Sequence, residues 1–187
     1  MRRIQIGVIG SCSDLQYSDD AMIVADNLGC EIARNGYLLV FGAEKDCTSL
    51  PTIAALAARR IGGETLGITY EKGLGIYTPK AASSVVSTGM VRGGGRETAL
   101  ILSCDAVIAI SGGSGTLNEI CVAYQANIPV VVIDTYGGWS EKLARTFLDE
   151  RRRYQFAAAD SPINALKLAR EQIKITNDTQ AYACNTR

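Results

Sequence analysis

Asp105-Ala106-Val107-Ile108-Ala109-Ile110, running into Ser111-Gly112-Gly113-Ser114-Gly115-Thr116-Leu117-Asn118-Glu119, decides how this chain is read. The first six residues are short, mostly apolar and partly β-branched, the pattern of a strand buried on both faces. The next residues are small and glycine-rich, and they open a helix, Gly115 to Gln125, that carries Glu119 in its first turn. A strand, a glycine turn and a helix start direct backbone N–H groups and the positive end of a helix dipole at one spot, which makes an anion site. Upstream, Gly93-Gly94-Gly95-Arg96 is a second glycine loop. It delivers an arginine just before a short apolar helix, Glu97 to Ser103. A guanidinium there adds a bidentate grip on phosphate.

Arg96 and Glu119 each follow a loop at a strand's carboxyl end, the edge at which open α/β sheets bind ligands. Each residue has two readings. Thr116-x-x-Glu119 is also a capping box, in which the glutamate reaches back to a backbone N–H. Arg96 is a positioned cation or a solvated surface arginine, although three glycines are a costly way to place the latter.

The same alternation extends on both sides. Ile4 to Gly10 is a first strand, ending in Gly10-Ser11-Cys12-Ser13-Asp14. That turn lacks the G-x-G-x-x-G fingerprint of dinucleotide sites. It is either a plain loop or a place where hydroxyls hold ribose or phosphate. Ser18 or Asp19 caps a helix to about Asn35, with Gly36 as its stop and Gly29 marking close packing on the sheet. Tyr37 to Phe41 is a strand ending at Gly42-Ala43-Glu44-Lys45-Asp46. A helix from Thr48 to Arg60 follows, with Pro51 in its first turn. Thr65 to Thr69 and Ser84 to Ser87 are short strands, and residues 71–82 form a loop over the rim of the site. Ile128 to Ile133 is a buried strand. The loop from Thr135 to Ser140 either touches ligand or partner, or is a simple turn with Trp139 packed into the core. Ser140 to Arg153 reads as an amphipathic helix. Ser161-Pro162 starts a last helix that ends near Ile173. The expected fold is a single-domain, Rossmann-like, doubly wound α/β sheet, mostly parallel and flanked by helices. It spans residues 1–175, with residues 176–187 as a polar, disordered tail.

Composition narrows the chemistry. The 187 residues include 19 basic and 19 acidic side chains, so no electrostatic footprint for nucleic acid is present. No apolar run reaches the length of a membrane span, and no signal peptide is read at the start. Cys12, Cys30, Cys47, Cys104, Cys121 and Cys184 form no C-x-x-C pair, and several sit in apolar periodic segments as small core residues. Histidine is absent, which excludes every mechanism that needs an imidazole. Acid–base work therefore falls to carboxylates, tyrosine, lysine, cysteine or water. Neither a metal site nor a bound cofactor is expected, and the location is cytoplasmic.

Ser111-Gly112-Gly113-Ser114-Gly115-Thr116-Leu117-Asn118-Glu119 resembles the Pro-Gly-Gly-x-Gly-Thr-x-x-Glu motif of the LOG (Lonely Guy, lysine-decarboxylase-like) family of the SLOG superfamily. Arg96 stands at that family's motif arginine. Gly10-Ser11, Tyr17, Leu28-Gly29, Gly36, Val40, Gly42, Gly62-Gly63 and Gly67 also correspond, so the resemblance covers about residues 4–135. It implies a phosphoribohydrolase that cleaves the N-glycosidic bond of a nucleoside 5′-monophosphate, releasing base and ribose 5-phosphate. Arg96 and Glu119 would be the catalytic pair. Gly112, Gly113, Ser114, Gly115 and Thr116 would form the phosphate loop, with Gly10, Ser11, Gly42 and Gly95 lining the same nucleotide site. A carboxylate suits this chemistry because loss of the base leaves an oxocarbenium-like sugar. The resemblance also implies a homodimer or higher homo-oligomer acting on a small-molecule nucleotide or phosphorylated cofactor, with no nucleic-acid or membrane partner.

Three departures matter. Ser111 replaces the motif proline, Glu97 stands where the family's hydrolases usually have lysine, and Glu44 and Asp46 place negative charge in the second loop. These features are similar to a sister branch that includes molybdenum-cofactor carriers. The alternative expectation is thus a non-catalytic binder or carrier of a phosphorylated cofactor. A third reading is an interaction subunit with a vestigial pocket.

Overall fold

A computed structural model of the chain describes residues 2–43, 48–73 and 80–185, with backbone alone for residues 177–185. The expectations for Glu44 to Asp46, and for residues 74–79 of the loop at 71–82, lie outside the described residues.

Among the described residues one seven-stranded sheet carries the fold. Its strands are β1 (Gln5–Gly10), β2 (Leu38–Gly42), β3 (Thr65–Thr69), β4 (Ser84–Ser87), β5 (Ala106–Ile110), β6 (Val130–Ile133) and β7 (Ala157–Ala159). Their order is β4-β3-β2-β1-β5-β6-β7, and every neighbouring pair is parallel. β1, β5 and β6 are almost wholly buried apolar runs, as central parallel strands covered on both faces must be.

Helices cover both faces. α1 (Asp19–Arg34), α2 (Leu50–Arg60) and α6 (Pro162–Asn185) pack on one side over Ile6, Val8, Leu39, Phe41, Ile108 and Ile110. α3 (Arg96–Leu102), α4 (Ser114–Gln125) and α5 (Gly138–Leu143) pack on the other over Ile9, Val40, Val107 and Val132. The chain winds outward from β1 through β2 and β3 on one side, and from β5 through β6 on the other. The order therefore reverses between β1 and β5, and the strand ends part there into a crevice.

Local signals act as read at several starts. The Ser18 side chain accepts the Ala21 N–H, and that of Ser49 accepts the Thr52 N–H, each a side-chain N-cap. Pro51 sits in the first turn of α2, and Gly36, in the left-handed region, closes α1. Asp105 is structural: its carboxylate accepts the Gln5 N–H at 2.8 Å and pairs with Arg2.

Other readings are corrected. Gly29 does not meet the sheet. A Cβ there would lie 1.9 Å from the Ala54 carbonyl oxygen, so it lets α1 and α2 cross in backbone contact. The helix expected over Ser140 to Arg153 is short: Ala144 turns extended and Arg145 takes φ 57°. The Arg145 N–H donates to Phe156 and the Phe156 N–H to Thr146, so the chain folds back to feed β7. Tertiary pairing wins because Phe156 is buried against Tyr124 and Tyr154. The last helix runs beyond Ile173, to Asn185. No described helix is long and apolar enough to cross a membrane.

Candidate functional site

The crevice between the carboxyl ends of β1 and β5 opens into a cleft of about 620 Å³. Its walls include Gly10 and Gly42 at strand ends, Tyr70 just past β3, Arg92, Arg96, Glu97, and Gly113 to Thr116 with Glu119 from α4. The structure brings several of the sequence candidates to one place. Arg96, Glu119, Gly10, Gly42, Gly113, Ser114, Gly115 and Thr116 share this one cleft. Ser11 and Gly112 sit behind it, on an adjoining cavity they share with Gly113 and Gly137-Gly138. Gly95 is the left-handed residue from which α3 starts and lies against the Met90 sulfur, off the cleft wall.

α4 supplies the anion-binding geometry. Gly113 is its N-cap and makes no side-chain cap, and among the described residues no side chain accepts from the first-turn N–H groups of Ser114, Gly115 and Thr116, which line the cleft. The helix starts before Thr116, which removes the capping-box reading: Thr116 lies in the first turn and Glu119 in the second. The Glu119 carboxylate instead faces Arg96, Nη1 to Oε1 at 3.7 Å.

Arg96 is not solvated, being only 3 % exposed. Its guanidinium stacks on the Tyr70 ring, 4.2 Å from the centroid, and Nη2 donates to the Tyr70 hydroxyl. The same Nη2 lies 3.8 Å from Glu97 Oε1, which accepts the Tyr70 hydroxyl at 2.6 Å. A Cβ at Gly42 would lie 2.1 Å from Arg96 Nη1, so the bare backbone at the end of β2 makes room for the cation. Arg92 also approaches Tyr70, 5.8 Å from the ring centroid.

Ser11 holds the floor together. Its hydroxyl accepts the Gly112 N–H at 2.9 Å and donates to Ser111 Oγ at 2.9 Å, while its carbonyl accepts the Leu50 N–H that begins α2. The Gly112 N–H is therefore engaged by Ser11. Behind it, the Trp139 and Ser140 N–H groups at the start of α5 donate to the Gly112 and Ser111 carbonyls. Trp139 packs against the core, as the turn reading expected. Cys104 lies under the site. Burial, and then the nearby charges of Asp105 and Glu119, push its thiol far above the ordinary range, so it is no nucleophile at neutral pH.

Tyr70 and Glu97 are the members that sequence reasoning left without a role. Tyr70 directly follows a parallel strand, so the strand-end rule applied to β3 points to it.

This is a Rossmann-like α/β protein whose candidate cleft lies at the topological switch point. The chain belongs to the SLOG cluster4 family, which it matches over residues 3–166. It is 30% identical to an uncharacterised protein of Archaeoglobus fulgidus over 125 residues, covering 66% of this chain and 75% of that one. It is similar in structure to the molybdenum cofactor binding protein of Rippkaea orientalis (TM-score 0.78, 28% identity, 92% of this chain and 99% of that one). The molybdenum cofactor carrier protein of Chlamydomonas reinhardtii shares the fold (TM-score 0.76, 24% identity, 92% and 99% covered).

Proposed function

We propose that the protein binds a phosphorylated, nucleotide-like small molecule, with the phosphate at the start of α4 and the rest of the ligand along the Arg96 wall. The observation that carries this reading is the uncapped, glycine-rich N-terminus of α4 opening into a cleft of about 620 Å³. Arg92 adds a cation on the same wall. The likeness to the molybdenum cofactor binding protein of Rippkaea orientalis supports a cofactor of that kind as the ligand. The cleft suits such cargo in kind: backbone N–H and hydroxyl donors for a phosphate, and a guanidinium–tyrosine wall for a heterocycle. In this reading Arg96 is held ready by Tyr70, Glu97 and Glu119, and the protein works as a binder and carrier.

The second reading is hydrolysis of a nucleoside 5′-monophosphate at its N-glycosidic bond. The Arg96–Glu119 pair favours it. In that role Glu119 stabilises the cationic sugar or orients water, and Arg96 positions ribose or phosphate. Family resemblance further supports a cytoplasmic homodimer or larger homo-oligomer for either reading.

Mass spectrometry of small molecules carried through purification, followed by calorimetry, tests the pair. Binding without turnover, retained in Glu119→Ala and abolished by Gly113→Asp, is the expected result. Release of free base from a nucleoside monophosphate, lost in Glu119→Ala, decides for the hydrolase. Phosphate-ligand affinity unchanged by Gly113→Asp removes both.

A further inference from the structure

The adjoining cavity, of about 700 Å³, meets the cleft along one line. Leu15 and Gly113 are the wall that the two hollows share. A Cβ at Gly113 would lie 2.8 Å from Leu15 Cδ1, so the leucine rests on the residue that begins α4. Leu15 is nonetheless 52% exposed, in a short turn, Ser13–Leu15, that contains no buried residue. It is a low apolar ridge between the hollows. The second hollow differs from the cleft in kind. Tyr17 and Tyr136 line it, each half-buried and packed in part on the core, and Thr135 adds a hydroxyl. Asp20 is the only charged side chain among the described residues that line it, whereas the cleft carries Arg92 and Arg96. A second phosphate there would meet a carboxylate and no cation. Hydroxyl groups suit it, because an ionised carboxylate only accepts, and a tyrosine offers both an apolar ring and a polar tip.

We propose that this second hollow is a sugar site. The ligand's phosphate group bears a neutral, polyhydroxylated arm that crosses Leu15 and lies between Tyr17, Tyr136 and Asp20. This rests on the phosphate-ligand reading of the cleft. The chemical class is a nucleotide whose terminal phosphate is esterified to a sugar, as in a nucleoside diphosphate sugar. Asp20 accepts hydroxyls of the arm, as an acidic residue accepts a ribose hydroxyl in dinucleotide sites. The ring faces of the tyrosines cover the apolar side of the sugar. The absent side chain at Gly113 keeps the crossing low, and the exposed leucine covers the linking atoms from one side. A bare terminal phosphate has nothing to place in the hollow, and a charged arm is repelled by Asp20. Selection thus has an attractive and a repulsive part.

Calorimetric titration of the intact protein with inorganic phosphate, ADP, ADP-glucose, GDP and GDP-glucose tests this. At least one sugar nucleotide is expected to bind about 10-fold or more tightly than its parent diphosphate, because a site built for hydroxyls discriminates against an analogue lacking them. Thr135→Trp fills the hollow from an exposed position. It should bring that pair to within about 3-fold while leaving the diphosphate's affinity unchanged. Asp20→Asn, nearly isosteric and also exposed, should lower the ratio by about 3-fold or more. Circular dichroism of both variants should match the parent. Sugar nucleotides that bind no more tightly than their parents overturn the inference, as does a ratio unmoved by Thr135→Trp or by Asp20→Asn. Binding of inorganic phosphate or of the diphosphates with no gain from the sugar overturns it alone. If neither inorganic phosphate nor any of the nucleotides is bound, the reading beneath it falls as well.

Discussion

Arg96 occupies space that a side chain at Gly42 would fill. The guanidinium is boxed by Tyr70, Glu97 and Glu119, so it cannot retreat without breaking a contact. We expect Gly42→Ala to leave the fold intact, with an unchanged circular dichroism spectrum. It should weaken binding of the phosphorylated ligand by about 10-fold or more, because small misplacements of a positioned group are costly. Calorimetry checks the second part, and a melt checks the first. At this scale the sequence was informative where a residue followed a strand and a glycine. Arg96 and Glu119 were found that way and do face each other. Ser11 was found too, but its hydroxyl holds Gly112 and Ser111, because a strand-end serine can bond either a ligand or the next loop. Glu97 was visible as a departure only; its buried oxygen is a product of packing and has no one-dimensional trace.

Between elements, the contact that matters most is α5 on the loop before α4. A Cβ at Gly138, whose φ is 66°, would lie 2.6 Å from the Gly112 nitrogen and 2.6 Å from the Ser111 carbonyl carbon. Backbone therefore meets backbone, and neither side can yield as a long side chain would. Gly138→Ala should destabilise the protein by at least about 1 kcal/mol and loosen the start of α4. Urea denaturation measures the first effect, and loss of phosphate binding the second. The long periodic helices and buried strands were legible because their patterns repeat over many residues. β7 was not: Ala157 to Ala159 has no strand propensity of its own and pairs with β6 because the buried Phe156 delivers it there. α5 stops early for a related reason, since Arg145 and Thr146 bond back to Phe156.

Across the whole molecule, stability carries a pH dependence that starts beneath the site. Cys104 fills the space left by Gly7, where a Cβ would lie 2.7 Å from its sulfur. Its folded-state titration is raised, mainly by burial. The folded chain therefore keeps this proton at pH values where the unfolded chain, with a thiol titrating near about 8.5, has lost it. The contribution is fully present below about pH 8.5 and declines as pH rises toward the folded value. We expect unfolding free energy to fall between about pH 8.5 and 10, and Cys104→Ala to flatten that fall while lowering stability at pH 7. Denaturation curves at the two pH values check the sign. The doubly wound architecture itself was legible from the alternation of elements alone. Which strands flank β1, and hence which loops converge, was not legible there and is set by the observed strand order, which reverses between β1 and β5.

Ser11 binds the exit of β1 to the exit of β5 and to the first turn of α2 through one residue. Three segments distant in the chain are thereby spliced at a single knot. A load applied by a guest at the start of α4 is shared at once with the opposite half of the sheet. The platform under the guest is stiff, and any adaptation to the guest's shape is left to the tyrosine–arginine side.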